Sequence, residues 1–278
     1  MPPESFKTVA VDGANIVCRR IGKGRPLLVF NGFGATSSDW GPCFIDRLAS
    51  SNELILLNNR GIGGSTDDGR SFDIAKLADD AARVIEILGI KPASVMGWSM
   101  GGFIAQAFAV EYADRVDKLV LLSSDPGGIE ADLGSPDVWS QLLDTSGTPN
   151  EQARRLLFLL FPIDVAESFY RQFGDIVAAA RAQVSVELLN RQAAAIDTWR
   201  RDGLTSQLRD ISVPVLIATG TEDIVIPASN ALKLVNAIPG AWLAQFPHGG
   251  HAFIAQYPQA LADLIKNFLA SSEAESGA

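Results

Sequence analysis

Gly97-Trp98-Ser99-Met100-Gly101 sets a serine between two glycines. This G-x-S-x-G spacing, with an apolar strand pattern before it and a helix pattern after it, suits a nucleophile held in a sharp turn with its hydroxyl exposed. Serine is also a favoured helix cap, but a cap needs no glycine two residues to either side. A serine hydroxyl attacks a carbonyl only when a base takes its proton. The chain has two histidines, His248 and His251, both within Pro247-His248-Gly249-Gly250-His251. His251 is the favoured base, because the two glycines let a loop swing it over the edge of a sheet, whereas His248 directly follows a strand. A carboxylate must then orient the imidazole. Glu222 and Asp223 both follow the apolar run ending at Gly220; Asp223 is preferred, Glu222 is its close rival, and Asp125 is a second alternative. The oxyanion formed on attack needs preorganised N–H donors. Met100, at the helix start, and Phe33, in Asn31-Gly32-Phe33-Gly34, are the candidates.

These residues need elements to carry them. Phe6 to Val11 and Ile16 to Ile21 read as strands joined by a tight Asp12-Gly13 turn. Pro26 to Phe33 and Glu53 to Arg60 are near-continuous apolar runs, the pattern of strands buried on both faces. Ile74, Leu77, Ala78, Ala81, Ile85 and Leu88 recur at helical spacing before Gly89. A strand at Ser94 to Gly97, a helix at Met100 to Tyr112 and a strand at Val116 to Leu122 follow, which together make βαβ units. The alternation then stops. Thr148-Pro149-Asn150-Glu151 is a capping box opening a helix through Leu156 to Phe161, and at least one more helix covers Ile176 to Trp199. It resumes with a strand at Val213 to Gly220, a helix near Ala228 to Val235, a strand at Trp242 to Phe246 and a helix from Pro258 to Leu269. The reading is one α/β domain, residues 1–124 and 209–278, interrupted by a helical insertion at 125–208.

Composition narrows the partners. The chain has 278 residues, 47% of them hydrophobic, and a formal charge of −9. That charge argues against nucleic acid and against anionic membrane surfaces. No basic-then-apolar leader opens the sequence, so a soluble cytoplasmic protein is expected. Cys18 and Cys43 are too few for a disulfide framework and lack metal-site spacing, so free thiols and no metal are expected. Gly61-Ile62-Gly63-Gly64 lacks the spacing and following helix of a dinucleotide loop. The tail from Ser271 is expected to fray.

Taken in order, the loop NGFG, the segment NNRGIGGS, the elbow GWSMGG, the stretch ISVPVLIATGTEDIVIP and HGGHAF resemble the α/β-hydrolase superfamily over nearly the whole chain. The resemblance implies an α/β-hydrolase fold with a mostly parallel eight-stranded sheet, helices on both faces and a helical cap that roofs the active site. Two departures stand out. Asn31-Gly32 replaces the family's frequent His-Gly, and Asn58-Asn59-Arg60-Gly61 replaces Asp-x-Arg-Gly. Serine at the elbow separates the chain from similar branches that use aspartate there. The expected activity is that of a cofactor-independent serine hydrolase, cleaving an ester or similar acyl bond of a small, largely apolar molecule. Phe33, Trp98 and Trp199 are the candidate substrate-binding residues. Carbon–carbon bond hydrolysis and perhydrolysis use the same triad in similar proteins, and a ligand-binding protein of the same fold is the alternative from another class.

Overall fold

The computed structural model describes residues 3–271, so the expected fraying of the tail lies outside the described residues. The strands are β1 (Glu4–Val11), β2 (Ala14–Gly22), β3 (Arg25–Phe30), β4 (Asn52–Leu57), β5 (Ala93–Trp98), β6 (Val116–Leu122), β7 (Val215–Gly220) and β8 (Trp242–Phe246). The helices are α1 (Pro42–Ala49), α2 (Ile74–Ile87), α3 (Met100–Glu111), α4 (Pro136–Leu143), α5 (Pro149–Leu160), α6 (Ile163–Arg181), α7 (Val186–Asp202), α8 (Thr205–Leu208), α9 (Ser229–Ala237), α10 (Phe253–Gln256) and α11 (Pro258–Ala270).

One eight-stranded sheet runs in the order β1-β2-β4-β3-β5-β6-β7-β8. The β1–β2 and β2–β4 pairs are antiparallel and the rest parallel. The β1–β2 hairpin turns through Asp12 and Gly13, both at positive φ (32° and 77°), which matches the right-handed twist of the strands.

The continuous apolar runs have a two-sided explanation, because successive side chains on a strand face opposite ways. Leu28, Phe30, Ile55, Leu57, Val95, Leu119, Leu121 and Ile217 join a core with α2, α3 and α9. Their neighbours Leu27, Val29, Leu54, Leu56, Met96, Val120, Leu122 and Leu216 join a second core with α1 and α11. Helices therefore cover both faces, as the sequence predicted. Helix α3 is buried nearly all round, so it shows no amphipathic stripe.

Between β6 and β7 the chain forms α4 to α8. The capping box at Thr148 is made in both directions, the Glu151 N–H donating to Thr148 Oγ1 (3.3 Å) and the Thr148 N–H to Glu151 Oε2 (2.7 Å). The helix read over Ile176 to Trp199 is in fact the end of α6 and most of α7, with a break before Ser185, whose side chain caps α7 by accepting from the Leu188 N–H at 3.1 Å. The run of alanines around Ala178 to Ala182 masks that break in sequence. Helices α1, α4 and α10 are 8, 8 and 4 residues long, too short for a periodic signal.

The insertion is fastened to the sheet domain at several points. Gln192 Oε1 of α7 accepts the Gly34 N–H at 2.8 Å, and Arg191 pairs with Asp67 at 2.6 Å. The Ala252 N–H donates to the carbonyl of Leu160 at the end of α5 (3.0 Å). Cys18 is buried and Cys43 exposed, both free thiols, and burial pushes the Cys18 thiol up to about 12.

Candidate active site

Four loops converge at the carboxyl ends of β3, β5, β7 and β8, the edge where open parallel sheets place their sites. Ser99 follows β5 directly and stands at φ 58°, ψ −123°, a conformation that costs a non-glycine residue about 1–3 kcal/mol and persists only where the surroundings enforce it. The flanking glycines supply that enforcement. A Cβ on Gly97 would run into the carbonyl of Gly101, and one on Gly101 into the carbonyl of Phe30. Strand and helix therefore meet at backbone distance, and the turn between them has no slack. Ser99 makes no capping hydrogen bond to α3, so the hydroxyl is not spent on the helix it precedes.

Asp223 and His251 are brought together. His251 Nδ1 lies 2.8 Å from Asp223 Oδ2, and the two side chains are 3% and 0% exposed. The other oxygen, Oδ1, accepts the N–H groups of Val225 and Ile226, each at 2.9 Å. These bonds fix the carboxylate, which in turn accepts the hydrogen bond from Nδ1–H and leaves Nε2 as the unprotonated nitrogen. His251 is also tied to the residue before Ser99: the Trp98 indole N–H donates to the His251 carbonyl at 3.0 Å, and the two rings are 5.5 Å apart. Among the described residues no hydrogen bond closes Ser99 Oγ onto His251; such bonds are commonly long until substrate is bound.

The rivals weighed in the sequence go to other partners. His248 is exposed, with Nδ1 2.8 Å from Glu222 and Nε2 3.0 Å from Asp164 of α6. These carboxylates, Glu222 first, raise its pKa. Asp125 is buried after β6, its Oδ1 accepting the Gly127 N–H (2.8 Å) and the Trp199 indole N–H (2.9 Å). Burial raises the pKa of this carboxyl, against those hydrogen bonds and the charges of Arg200 and His251.

The loop after β3 is pinned by the residue that departs from the family pattern. Asn31 Oδ1 accepts the Trp40 indole N–H and its Nδ2 donates to the Leu57 carbonyl, both at 2.7 Å. Asn58, the second departure, accepts the Ser37 N–H (2.7 Å) and donates to the Gly63 carbonyl (2.6 Å). Arg60 beside it is held by Asp80 in a two-bond fork at 2.7 and 2.8 Å. A Cβ on Gly32 would lie 3.4 Å from Ser99 Cβ, so the loop passes over Ser99. Among the described residues, neither the Phe33 nor the Met100 backbone N–H has an acceptor.

Of the aromatic candidates, Trp98 lies between His251 and Trp40. Trp199 is buried, stacked on Phe103 at 5.0 Å, and joins α7 to α3 and to Asp125. Trp139 is the one that meets Phe33, at 6.2 Å, with the Arg200 guanidinium 3.8 Å from its ring centroid. Sequence alone gave Trp139 no priority, since nothing in the spacing of α4 tells which face meets Phe33. No group of acids, histidines and cysteines fit to hold a metal occurs among the described residues.

A family profile described as alpha/beta hydrolase fold matches residues 25–257. The chain belongs to that family. It is 30% identical over 282 residues to a poly(3-hydroxyalkanoate) depolymerase of Ectopseudomonas oleovorans, covering 96% of this chain and 93% of the relative. An α/β hydrolase fold protein from Chitinophaga pinensis superposes with a TM-score of 0.81 at 25% identity, covering 97% and 98% of the two chains. The enol-lactonase from Burkholderia xenovorans LB400 shares the fold with a TM-score of 0.81 at 24% identity, covering 95% of this chain and all of the other. This α/β hydrolase is an enzyme with hydrolase activity. No described helix is long and apolar enough to cross a membrane.

Proposed function

We propose that this α/β hydrolase is a cofactor-independent serine hydrolase that cleaves an ester or similar acyl bond of a small, largely apolar molecule. The observation that carries the reading is the buried Asp223–His251 pair at 2.8 Å beside a serine held at positive φ. Ser99 Oγ attacks the carbonyl carbon while His251 Nε2 takes its proton. The carbonyl oxygen, now negative, is received by the N–H groups of Phe33 and Met100, a contribution of about 3 kcal/mol per donor. His251 returns the proton to the leaving alcohol, and an acyl-enzyme remains on Ser99. Water, deprotonated by the same imidazole, then releases the acid. Asp223 keeps Nδ1 protonated and stabilises the imidazolium that forms twice per cycle. The rings of Phe33 and Trp98 line the acyl pocket, and Trp199 supports its wall. Helices α4 to α8 act as the cap.

A fluorophosphonate probe followed by mass spectrometry tests this. Labelling at Ser99, absent in Ser99→Ala, is the expected result; an unlabelled Ser99 in folded protein overturns it.

A further inference from the structure

We propose that the substrate carries a carboxylate, held by Arg181 and Gln192 at the far end of the loop that covers Ser99; this deepens the serine-hydrolase reading and rests on it. Arg181 ends α6, and its Nη1 stands 3.2 Å from the point a Cβ on Gly34 would occupy. The side chain is half-buried, and burial, with the Arg155 charge behind it, lowers its pKa. Among the described residues it has no hydrogen bond and no ion pair. Arg155 has both, with the carbonyls of Asp144 and Ser146 and the Asp144 carboxylate. An arginine cannot relieve burial by losing its proton. An unpaired, partly desolvated guanidinium next to a second one is therefore a standing cost that an anion would remove. The chain's net charge of −9 supplied many carboxylates to choose from, yet none was placed here.

A second orphan donor lies at the same spot. Gln192 is fully buried on α7, and its Oε1 accepts the Gly34 N–H at 2.8 Å. That bond fixes which end of the amide is which, and Nε2 is left without an acceptor. Both donors thus flank Gly34. Gly32, two residues earlier, lies against Trp98 and Ser99. Two Cα steps span about 7 Å at most, so a group held at Gly34 sits a short carbon chain away from the carbonyl under attack. A carboxylate is planar and accepts a guanidinium through two parallel bonds. The ligand class is an ester or lactone, apolar in its body, ending in a carboxylate a few atoms from the reacting carbon.

The test uses binding to Ser99→Ala protein, so that it does not depend on turnover. Calorimetry compares monomethyl glutarate with dimethyl glutarate, which differ in the charge. The expected result is at least tenfold tighter binding of the monoester, a preference that falls to about one on adding Arg181→Gln and returns in part with Arg181→Lys. Tm measurements accompany each variant. Should Arg181→Gln fail to fold, the Arg181→Lys protein decides, since it must keep part of the preference. Equal binding of the two esters, or a preference that survives Arg181→Gln in folded protein, overturns the proposal. In the otherwise unaltered enzyme, kcat/KM for 4-nitrophenyl hydrogen glutarate should exceed that for 4-nitrophenyl valerate, with Arg181→Gln acting on KM. Fluorophosphonate labelling of Ser99 is a separate readout: if it fails while the monoester still binds through Arg181, the serine-hydrolase reading falls and the anion site stands.

Discussion

Two histidines separated by Gly249 and Gly250 each hold a carboxylate at 2.8 Å, and the pairs differ above all in exposure. His251 and Asp223 are 3% and 0% exposed, whereas His248 and Glu222 are 48% and 51% exposed. Out of water, a hydrogen bond to a carboxylate is strong and its geometry is enforced by packing. In water it is screened and competes with solvent. An imidazole–carboxylate contact of the same length therefore gives a fixed imidazole in one place and a surface link to Asp164 in the other. Burial, not pairing, separates the two.

The comparison breaks most sharply at the buried end. Ser99→Ala should lower kcat by about 10⁵-fold or more, and His251→Ala by a similar factor, because members of such a unit fail together. His248→Ala should change kcat/KM by less than about threefold, as expected of a surface position. Steady-state kinetics on a 4-nitrophenyl ester read both, and the reverse ranking would transfer the base to His248.

The carboxylates give the next contrast. Asp223→Asn should cost about 10⁴-fold in kcat by stabilising the wrong imidazole tautomer, while Glu222→Gln stays within about threefold. Asp125→Asn sharpens the point with a residue as buried as Asp223. Both of its hydrogen bonds fall on one oxygen, Oδ1, which an asparagine reproduces, so kcat should fall by less than about tenfold. A loss as large as that of Asp223→Asn would move the triad acid to the end of β6.

Gly97→Ala tests the turn itself. The added methyl meets backbone, which cannot yield cheaply, so stability should drop by about 3 kcal/mol or more, seen as a lowered Tm. The smallest effect is at His248. Only the imidazolium can donate to both Glu222 and Asp164, and the two carboxylates raise its pKa from 6.5. Its contribution is complete below that value and is lost as pH rises through the raised pKa. The Tm difference between the parent and His248→Gln should therefore shrink as pH goes from acid to alkaline.

Much of this was legible in the chain because the signals are local. The G-x-S-x-G turn announces itself by glycines that only close backbone contact requires. The buried strands β3, β4 and β7 show as apolar runs, and the Thr148 box marks the start of α5. Short helices such as α1 and α10 left no pattern to read, and the alanines before Ser185 hid where α6 ends. Gln192 and Arg181 were not legible as site residues at all, and nothing in the sequence ranked Trp139 above the other tryptophans. Each lies in α4, α6 or α7, and what gives it a role is a contact with Phe33 or Gly34, more than a hundred positions away.

Sequence by itself determined the α/β alternation, the serine turn and the short list of histidines and acids, since residue type and spacing act along the backbone. Tertiary structure alone decided which acid meets which histidine, which pair loses its water, and, among the described residues, which half-buried arginine is left without a partner. Those outcomes depend on burial and on distances through space, and neither quantity is a property of any segment taken singly.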